Sequence, residues 1–171
     1  MRIPRAVIAA LVAAGCSPTL DWREIRPEGA DVAALFPCRP DRHARPVLIG
    51  GARTSMEMLV CSAGGATFAV SFVDLVDPAL VTAAVAELRT AALTNIGGVQ
   101  LSSEPVQVSG MTANVQAARL VISGRLPDGD AVHEQAAFFV KGLRVYQASI
   151  IGARLRAEMT DPFFASLKLP S

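Results

Sequence analysis

Residues 66–98, with the sequence ATFAVSFVDLVDPALVTAAVAELRTAALTNIGG, join a strand pattern directly to a helix pattern. The strand pattern occupies residues 66–74, where apolar and polar side chains alternate with a period of two. Such alternation predicts a β-strand with one buried face. The inward side chains are Phe68, Val70 and Phe72, and the outward side chains are Thr67 and Ser71.

A long amphipathic helix is predicted directly after this strand. Asp77 is a favourable N-cap, and Pro78 suits the first helical position because a proline there loses no hydrogen bond. Gly97-Gly98 provides the stop. Between these signals, apolar residues recur at spacings of three and four, which predicts that one helix face packs on the sheet. These residues are Val81, Val85, Leu88, Ala92 and Ile96.

The segments on either side of residues 66–98 are patterned as strands and turns. Before it, strands are predicted over residues 32–36, 45–49 and 54–62, with turns at Gly50-Gly51 and Gly64-Gly65. After it come residues 99–108, interrupted near Glu104-Pro105, then 112–126 with a bulge near Ala117-Ala118, 131–140 and 143–151. Asp161-Pro162 predicts the start of a short closing helix. Runs of strands separated by helices predict an α+β domain with a mostly antiparallel sheet and helices packed on its faces.

The order of these elements, together with several short motifs, resembles the PsbP-like superfamily. The resemblance covers about residues 32–169 and implies an antiparallel sheet with helices on its faces. The superfamily includes bacterial periplasmic proteins and lipoproteins. Most of its members are binding or assembly proteins rather than enzymes, so the resemblance also implies a role in binding or assembly. It supplies no catalytic residues. The motifs are FP at 36–37, FAVSFVDL at 68–75, TNIGG at 94–98, PVQVSG at 105–110, LRVYQASIIG at 143–152 and FFASLKL at 163–169.

The N-terminus has the pattern of a secretory signal. Two arginines precede an uninterrupted apolar run, residues 6–14, and then Gly15-Cys16. Small residues before a cysteine resemble the lipobox of bacterial lipoproteins, although Ala13 stands where that family most often has leucine. The resemblance implies that Cys16 carries the lipid. The apolar run is too short to span a bilayer, which takes ~20 residues.

The predicted organisation is a signal peptide over residues 1–15, a tether over 16–29 and one domain over 30–171. Ser17 follows the cysteine, and in a two-membrane host a residue other than aspartate resembles the sorting signal for the outer membrane. We therefore expect the domain on the periplasmic face of that membrane. Trp22 is expected to pack onto the domain, the alternative being contact with lipid headgroups.

Charge and cysteine content restrict the possible partners. The full sequence has 16 basic and 15 acidic side chains, and loss of the predicted signal peptide removes two of the basic ones. The remaining chain is nearly neutral, which excludes a typical nucleic-acid binder. In an exported chain, the two remaining cysteines, Cys38 and Cys61, are expected to form a disulfide. Two buried free thiols are the alternative. Two cysteines without nearby histidines cannot complete a zinc shell, so neither a metal nor a cofactor is predicted.

A basic cluster over residues 39–45 is the candidate contact site. Its guanidinium groups could bind an anionic headgroup or an acidic partner surface, because each presents a planar fork of donors. A solvated hairpin loop, partly neutralised by Asp41, is the alternative. The cluster is predicted to lie in one loop, and its members are Arg39, Arg42, His43 and Arg45.

No catalytic motif is present in the sequence: HExxH, GxSxG and GxxxxGK are all missing. We therefore expect a non-enzymatic, lipid-anchored envelope protein that acts as an interaction or assembly module. One alternative is a carrier of a small apolar or anionic ligand, with a pocket lined by Phe68, Phe72 and Phe138. A less favoured alternative is an envelope hydrolase, in which His43 or His133 would have to lie beside a nucleophile.

Overall fold

The computed structural model describes residues 19–170, which form one seven-stranded antiparallel sheet, a two-stranded sheet and two α-helices. The large sheet has the order β3-β4-β5-β9-β8-β7-β6. This architecture confirms the predicted α+β class. The elements are β1 (Arg23–Ile25), β2 (Ala34–Phe36), β3 (Asp41–Ile49), β4 (Ala52–Ala63), β5 (Ala66–Asp74), α1 (Val81–Asn95), β6 (Val99–Glu104), β7 (Ala118–Arg125), β8 (Ala131–Lys141), β9 (Arg144–Gly152) and α2 (Ala157–Ala165).

The strand and helix predicted over residues 66–98 are both present. The Asp77 carboxylate accepts a hydrogen bond from the Ala79 N–H at 2.8 Å, capping a 3₁₀ turn, Pro78–Leu80, that leads into α1. Every residue of the predicted apolar stripe is buried. Ser71, expected to face outward, is also buried, because β5 lies in the middle of the sheet and both of its faces are covered.

Two hydrophobic cores lie on opposite sides of the sheet. On one side, called the α1 face, α1 packs on residues that include Val73, Phe138 and Val145. On the other side, called the α2 face, Met159 and Phe163 of α2 pack on residues that include Phe68. The side chains of the inner strands therefore divide between two separate interiors.

The described part of the predicted tether is packed on the domain. β1 pairs with β2, and the Asp21 N–H donates to the Pro37 carbonyl at 2.9 Å. Trp22 meets Phe68 edge to face, with ring centroids 5.8 Å apart, as expected for packing onto the domain. The tether prediction is thus wrong for this part, because backbone pairing and an aromatic contact offset its polar composition. Residues 1–15, Cys16 and Ser17 lie outside the described residues.

A second set of contacts fixes the chain where the predicted tether ends. The Arg144 guanidinium donates to the Gly29 carbonyl at 2.7 Å and forms ion pairs with Asp74 and Asp31. The Tyr146 hydroxyl donates to the Ala30 carbonyl at 3.1 Å, and burial raises the pKa of Tyr146 to about 12. The segment over residues 19–31 is therefore attached to the rest of the domain at both of its ends.

Several predicted boundaries differ from the observed ones. The strand expected over residues 112–126 is β7 alone, since a local turn, in which the Asn114 side chain accepts from the Gln116 N–H at 2.9 Å, replaces its first part. The bulge predicted near Ala117-Ala118 is also wrong: β7 is in continuous register with β8, and the register irregularity lies in β6, between Gln100 and Ser102. Helix α2 begins before Asp161-Pro162 and contains Pro162, because burial of Met159 brings the preceding turn into the helix.

The predicted disulfide between Cys38 and Cys61 is present, with a Cα–Cα distance of 6.0 Å. It connects the segment between β2 and β3 to strand β4. Cys61 is buried in the core of the α2 face, and Cys38 packs against that core. The bridge therefore joins the N-terminal part of the domain to the large sheet.

Candidate functional site

The predicted basic cluster lies on an edge strand, so its assignment to a loop is wrong. β3 pairs with β4 without interruption, from Asp41 opposite Val60 to Ile49 opposite Ala52. Successive side chains of a strand point to opposite faces. Arg42 therefore lies on the α2 face, whereas His43 and Arg45 lie on the α1 face, and Arg39 precedes the strand. The structure does not gather the three arginines around one anion.

Arg42 already has partners within the protein. Its Nε donates to Glu57 Oε2 at 2.7 Å, and one terminal nitrogen donates to the Glu28 carbonyl at 2.7 Å. This pairing across the β3–β4 hairpin attaches the strand to the N-terminal segment. Within residues 19–170, His43 and Arg45 have no carboxylate within ion-pair distance. They are exposed and remain available for contact with another molecule.

The outer edge of β3 presents backbone groups that no described strand pairs. Gly50 and Gly51 have φ values of 61° and 75°, which define a type I′ turn and make Ile49 and Ala52 a hydrogen-bonded pair. The N–H groups at odd positions from 41 to 49 therefore point toward β4, and those at even positions point outward. Proline occupies position 46, an outward position where its missing N–H costs no ladder hydrogen bond.

The surroundings of this edge are basic. Residues 41–46 are exposed on both faces, and a surface hollow of about 290 Å³ lies beside them. The hollow is lined by Ala44, Arg45, Pro46, Arg53, Thr54 and Ser55. Over residues 39–57 there are four arginines against two acidic residues, Asp41 and Glu57. An acidic partner therefore fits this edge better than a basic one.

The opposite edge of the sheet is shorter and irregular. β6 has six residues, and its pairing with β7 shifts between Gln100 and Ser102. A bulge and a short length are features by which proteins protect an edge from further strand pairing. β3 is longer, with nine residues in regular register. Pro46 and the charged side chains of β3 also protect an edge, but Pro46 removes only one of four outward N–H groups, so β3 remains the more complete template for an added strand.

A second candidate region lies at the end of the sheet that carries the Gly64-Gly65 turn. A hollow of about 610 Å³ opens there between the β4–β5 turn, the β7–β8 turn and the end of β9. Its apolar wall includes Leu126, Val132 and Ile151. The hydroxyl groups of Ser62 and Thr67, which are hydrogen-bonded at 3.0 Å, add polar groups to its rim.

Near this hollow, Glu134 is a buried acid that the sequence patterns did not single out. It is 6% exposed and lies in register between Ile122 on β7 and Ile151 on β9. Burial among apolar side chains disfavours the charged form and raises the pKa of Glu134 to about 7. The sequence signal was available, because Glu134 interrupts an inward-facing series of apolar residues at even positions of β8.

The three phenylalanines of the predicted carrier pocket are not brought together. Phe68 and Phe72 belong to the core of the α2 face, whereas Phe138 belongs to the core of the α1 face. All three are buried in packed side chains. The sheet itself separates them.

The two histidines lie on different strands, His43 on β3 and His133 on β8, with three strands between them. His133 is half-buried at a hollow of about 320 Å³ whose other lining residues are Val121, Gln135, Ala153, Arg154 and Leu155. Ser123 is its cross-strand neighbour, but no hydrogen bond joins the two described side chains. His43 lies on the β3 edge. Among residues 19–170, no group of three His, Cys, Asp or Glu residues is arranged to hold a metal.

Comparison with protein-family models and with curated proteins found no match to this chain. In the described part of the chain, no helix has both the length and the apolar character needed to cross a membrane.

Proposed function

We propose that this chain is a non-catalytic, lipid-anchored protein of the bacterial cell envelope that acts as an interaction or assembly module. In this proposal, the open edge of β3 pairs with an extended acidic segment of an envelope protein. The observation that carries the proposal is the edge itself: nine residues in regular register, exposed side chains over residues 41–46, and no described strand on the outer side.

Strand addition uses groups that this edge already displays. The outward N–H groups of Arg42, Ala44 and Leu48, together with outward carbonyls, can form an antiparallel or parallel ladder with a partner strand. Such backbone hydrogen bonds provide affinity, and neighbouring side chains provide selectivity. Arg45 and Arg53 would attract carboxylates of the partner, and Arg39 and His43 would add to this basic character.

The N-terminal sequence supports the anchor and its location. A basic start, an apolar run and Gly15-Cys16 have the pattern of a lipoprotein signal, and Ser17 is compatible with sorting to the periplasmic face of an outer membrane. The Cys38–Cys61 bridge is consistent with export, because disulfides persist in oxidising compartments. The antiparallel sheet with one helix on each face is compatible with the proposed PsbP-like resemblance.

The hollow at the end of the sheet favours a second candidate function. Its volume of about 610 Å³ and its largely apolar wall would suit a small apolar ligand, which would make the protein a carrier. Mass spectrometry of small molecules that co-purify with the protein tests this alternative. A stoichiometric apolar compound that is lost in Ile151→Asp, but not in Leu48→Asp, would favour the carrier.

Two proline-related variants test the proposed interaction. Ala44→Pro removes one outward N–H and places a ring on the edge, while leaving the ladder with β4 intact. We expect about tenfold lower recovery of the partner from crosslinked native membranes. Pro46→Ala adds an outward donor at the neighbouring position and should retain or increase recovery.

Thermal unfolding of both purified variants checks that the fold is unchanged. A partner that is recovered equally with Ala44→Pro and the wild-type protein would contradict strand addition at β3. Equal loss from both variants would also contradict it, because only one of them removes a donor from the edge.

A further inference from the structure

The first described residues lie against one particular end of the sheet. The Thr19 and Leu20 side chains lie over Gly64 in the β4–β5 turn, where a Cβ added to the glycine would stand 3.7 Å from Thr19 Cγ2 and 3.1 Å from Leu20 Cδ2. The hydrogen bond from the Asp21 N–H to the Pro37 carbonyl fixes the chain immediately afterwards. The path of the chain is therefore set from Thr19 onward.

Covalent geometry limits how far Cys16 can be from this end. Three peptide units separate Cys16 from Thr19, so their Cα atoms are at most about 11 Å apart even in a fully extended chain. A 14-residue tether would instead have allowed tens of ångströms. The packing of residues 19–25 thus leaves only a short connection between the proposed lipid and the folded domain.

The geometry points to a phospholipid bilayer as the surface that this end of the domain contacts. The contacting surface consists of the β4–β5 turn, the β7–β8 turn and the segment after β9, and the strands stand away from the bilayer. This inference rests on the proposed lipid anchor at Cys16. A 14-residue tether would let the domain take many orientations above the membrane, whereas the short connection seats it on the membrane in one orientation.

Two features of the surface agree with a bilayer contact that depends on the anchor. The hollow with Leu126 and Ile151 in its wall opens at this end, so apolar surface faces the lipid. Counting Glu158 at the start of α2, the charges at this end balance, so no net attraction to anionic lipids is expected and the domain should also seat on zwitterionic vesicles. These charged residues are Arg125, Arg154 and Arg156, against Asp128, Asp130 and Glu158.

Matched tryptophan probes can measure this orientation. Trp22 is the only tryptophan of the chain, and Trp22→Phe removes it while keeping an aromatic ring. Leu126 and Leu143 are 38% and 40% exposed and lie at opposite ends of the strands, about 30 Å apart for nine residues of β-structure. Each is replaced by tryptophan in the lipidated full-length protein, and energy transfer to dansyl-labelled headgroups in phosphatidylcholine vesicles is recorded.

We expect at least threefold greater transfer from position 126 than from position 143. Equal transfer, or greater transfer from position 143, would overturn the proposed orientation. Ala153→Trp and Val76→Trp form a second pair at the same two ends and replace any variant of the first pair that does not fold.

Flotation separates this inference from the anchor on which it rests. Lipidated protein is expected to float with the vesicles, and Cys16→Ser protein is expected to remain at the bottom of the gradient. Failure of the lipidated protein to float, or flotation of both forms, would overturn the anchor and the orientation together. Flotation with reversed energy transfer would overturn the orientation alone.

Discussion

Replacement of Glu134 by glutamine is expected to increase the free energy of unfolding by about 3 kcal/mol at pH 8. The reason is that burial raises the pKa of this carboxyl from 4.5 to about 7 in the folded protein. Between these two values the folded state binds more protons than the unfolded state. Stability therefore falls as the pH rises from about 4.5 to about 7, and it stays low above that range.

Chemical denaturation at several pH values measures this effect. The wild-type and Glu134→Gln curves should converge near pH 4, where the buried group is neutral in both proteins, and separate as the pH rises. Glu104→Gln, which changes an exposed glutamate of β6, controls for the loss of one negative charge. Parallel wild-type and Glu134→Gln curves would contradict the assignment of a buried, destabilising carboxylate.

Removal of the Cys38–Cys61 bridge is expected to lower the free energy of unfolding by about 3 kcal/mol, because the unfolded chain loses a crosslink over 23 residues. Cys38→Ala/Cys61→Ala is the suitable variant, since serine at position 61 would bury a hydroxyl group in the core. The measurement is denaturant unfolding of the oxidised wild-type protein and of the variant.

Reductant provides the internal control for this prediction. It should destabilise the wild-type protein to about the level of the double variant and have no effect on the variant itself. Thiol titration of the denatured, unreduced domain should find neither Cys38 nor Cys61 reactive. Two titratable thiols, or insensitivity of the wild-type protein to reductant, would contradict a bridge that stabilises the folded protein.

The central strand and helix could be predicted from sequence because local and long-range signals agree there. Asp77-Pro78 marks the 3₁₀ turn that leads into α1, the apolar stripe forms the buried face of the helix, and Gly97-Gly98 follows its C-terminal end. Local signals were misleading where tertiary packing opposed them. Asp161-Pro162 has the composition of a helix start, yet burial of Met159 extends α2 beyond it.

The candidate site was predicted in composition but not in geometry. The basic residues over 39–45 were predicted as a contact site in a loop, because a polar, arginine-rich segment with no alternation gave no sign of the strand that begins at Asp41. The segment forms a strand because it pairs with β4, and this pairing extends beyond the buried residues to Asp41 opposite Val60. Glu134 interrupts the inward-facing apolar series of β8, but its position between Ile122 and Ile151 follows only from the pairing of β8 with β7 and β9.

The measurement that tests the central claim most directly is site-specific photo-crosslinking in intact cells. A benzophenone amino acid is placed at Leu48 on the β3 edge or at Leu101 on the β6 edge, which are 67% and 61% exposed. We predict a discrete protein adduct from position 48 that disappears when Ala44→Pro is added, and no such adduct from position 101. The absence of an adduct from position 48, or the same adduct from both positions, would contradict an interaction module that binds through the edge of β3.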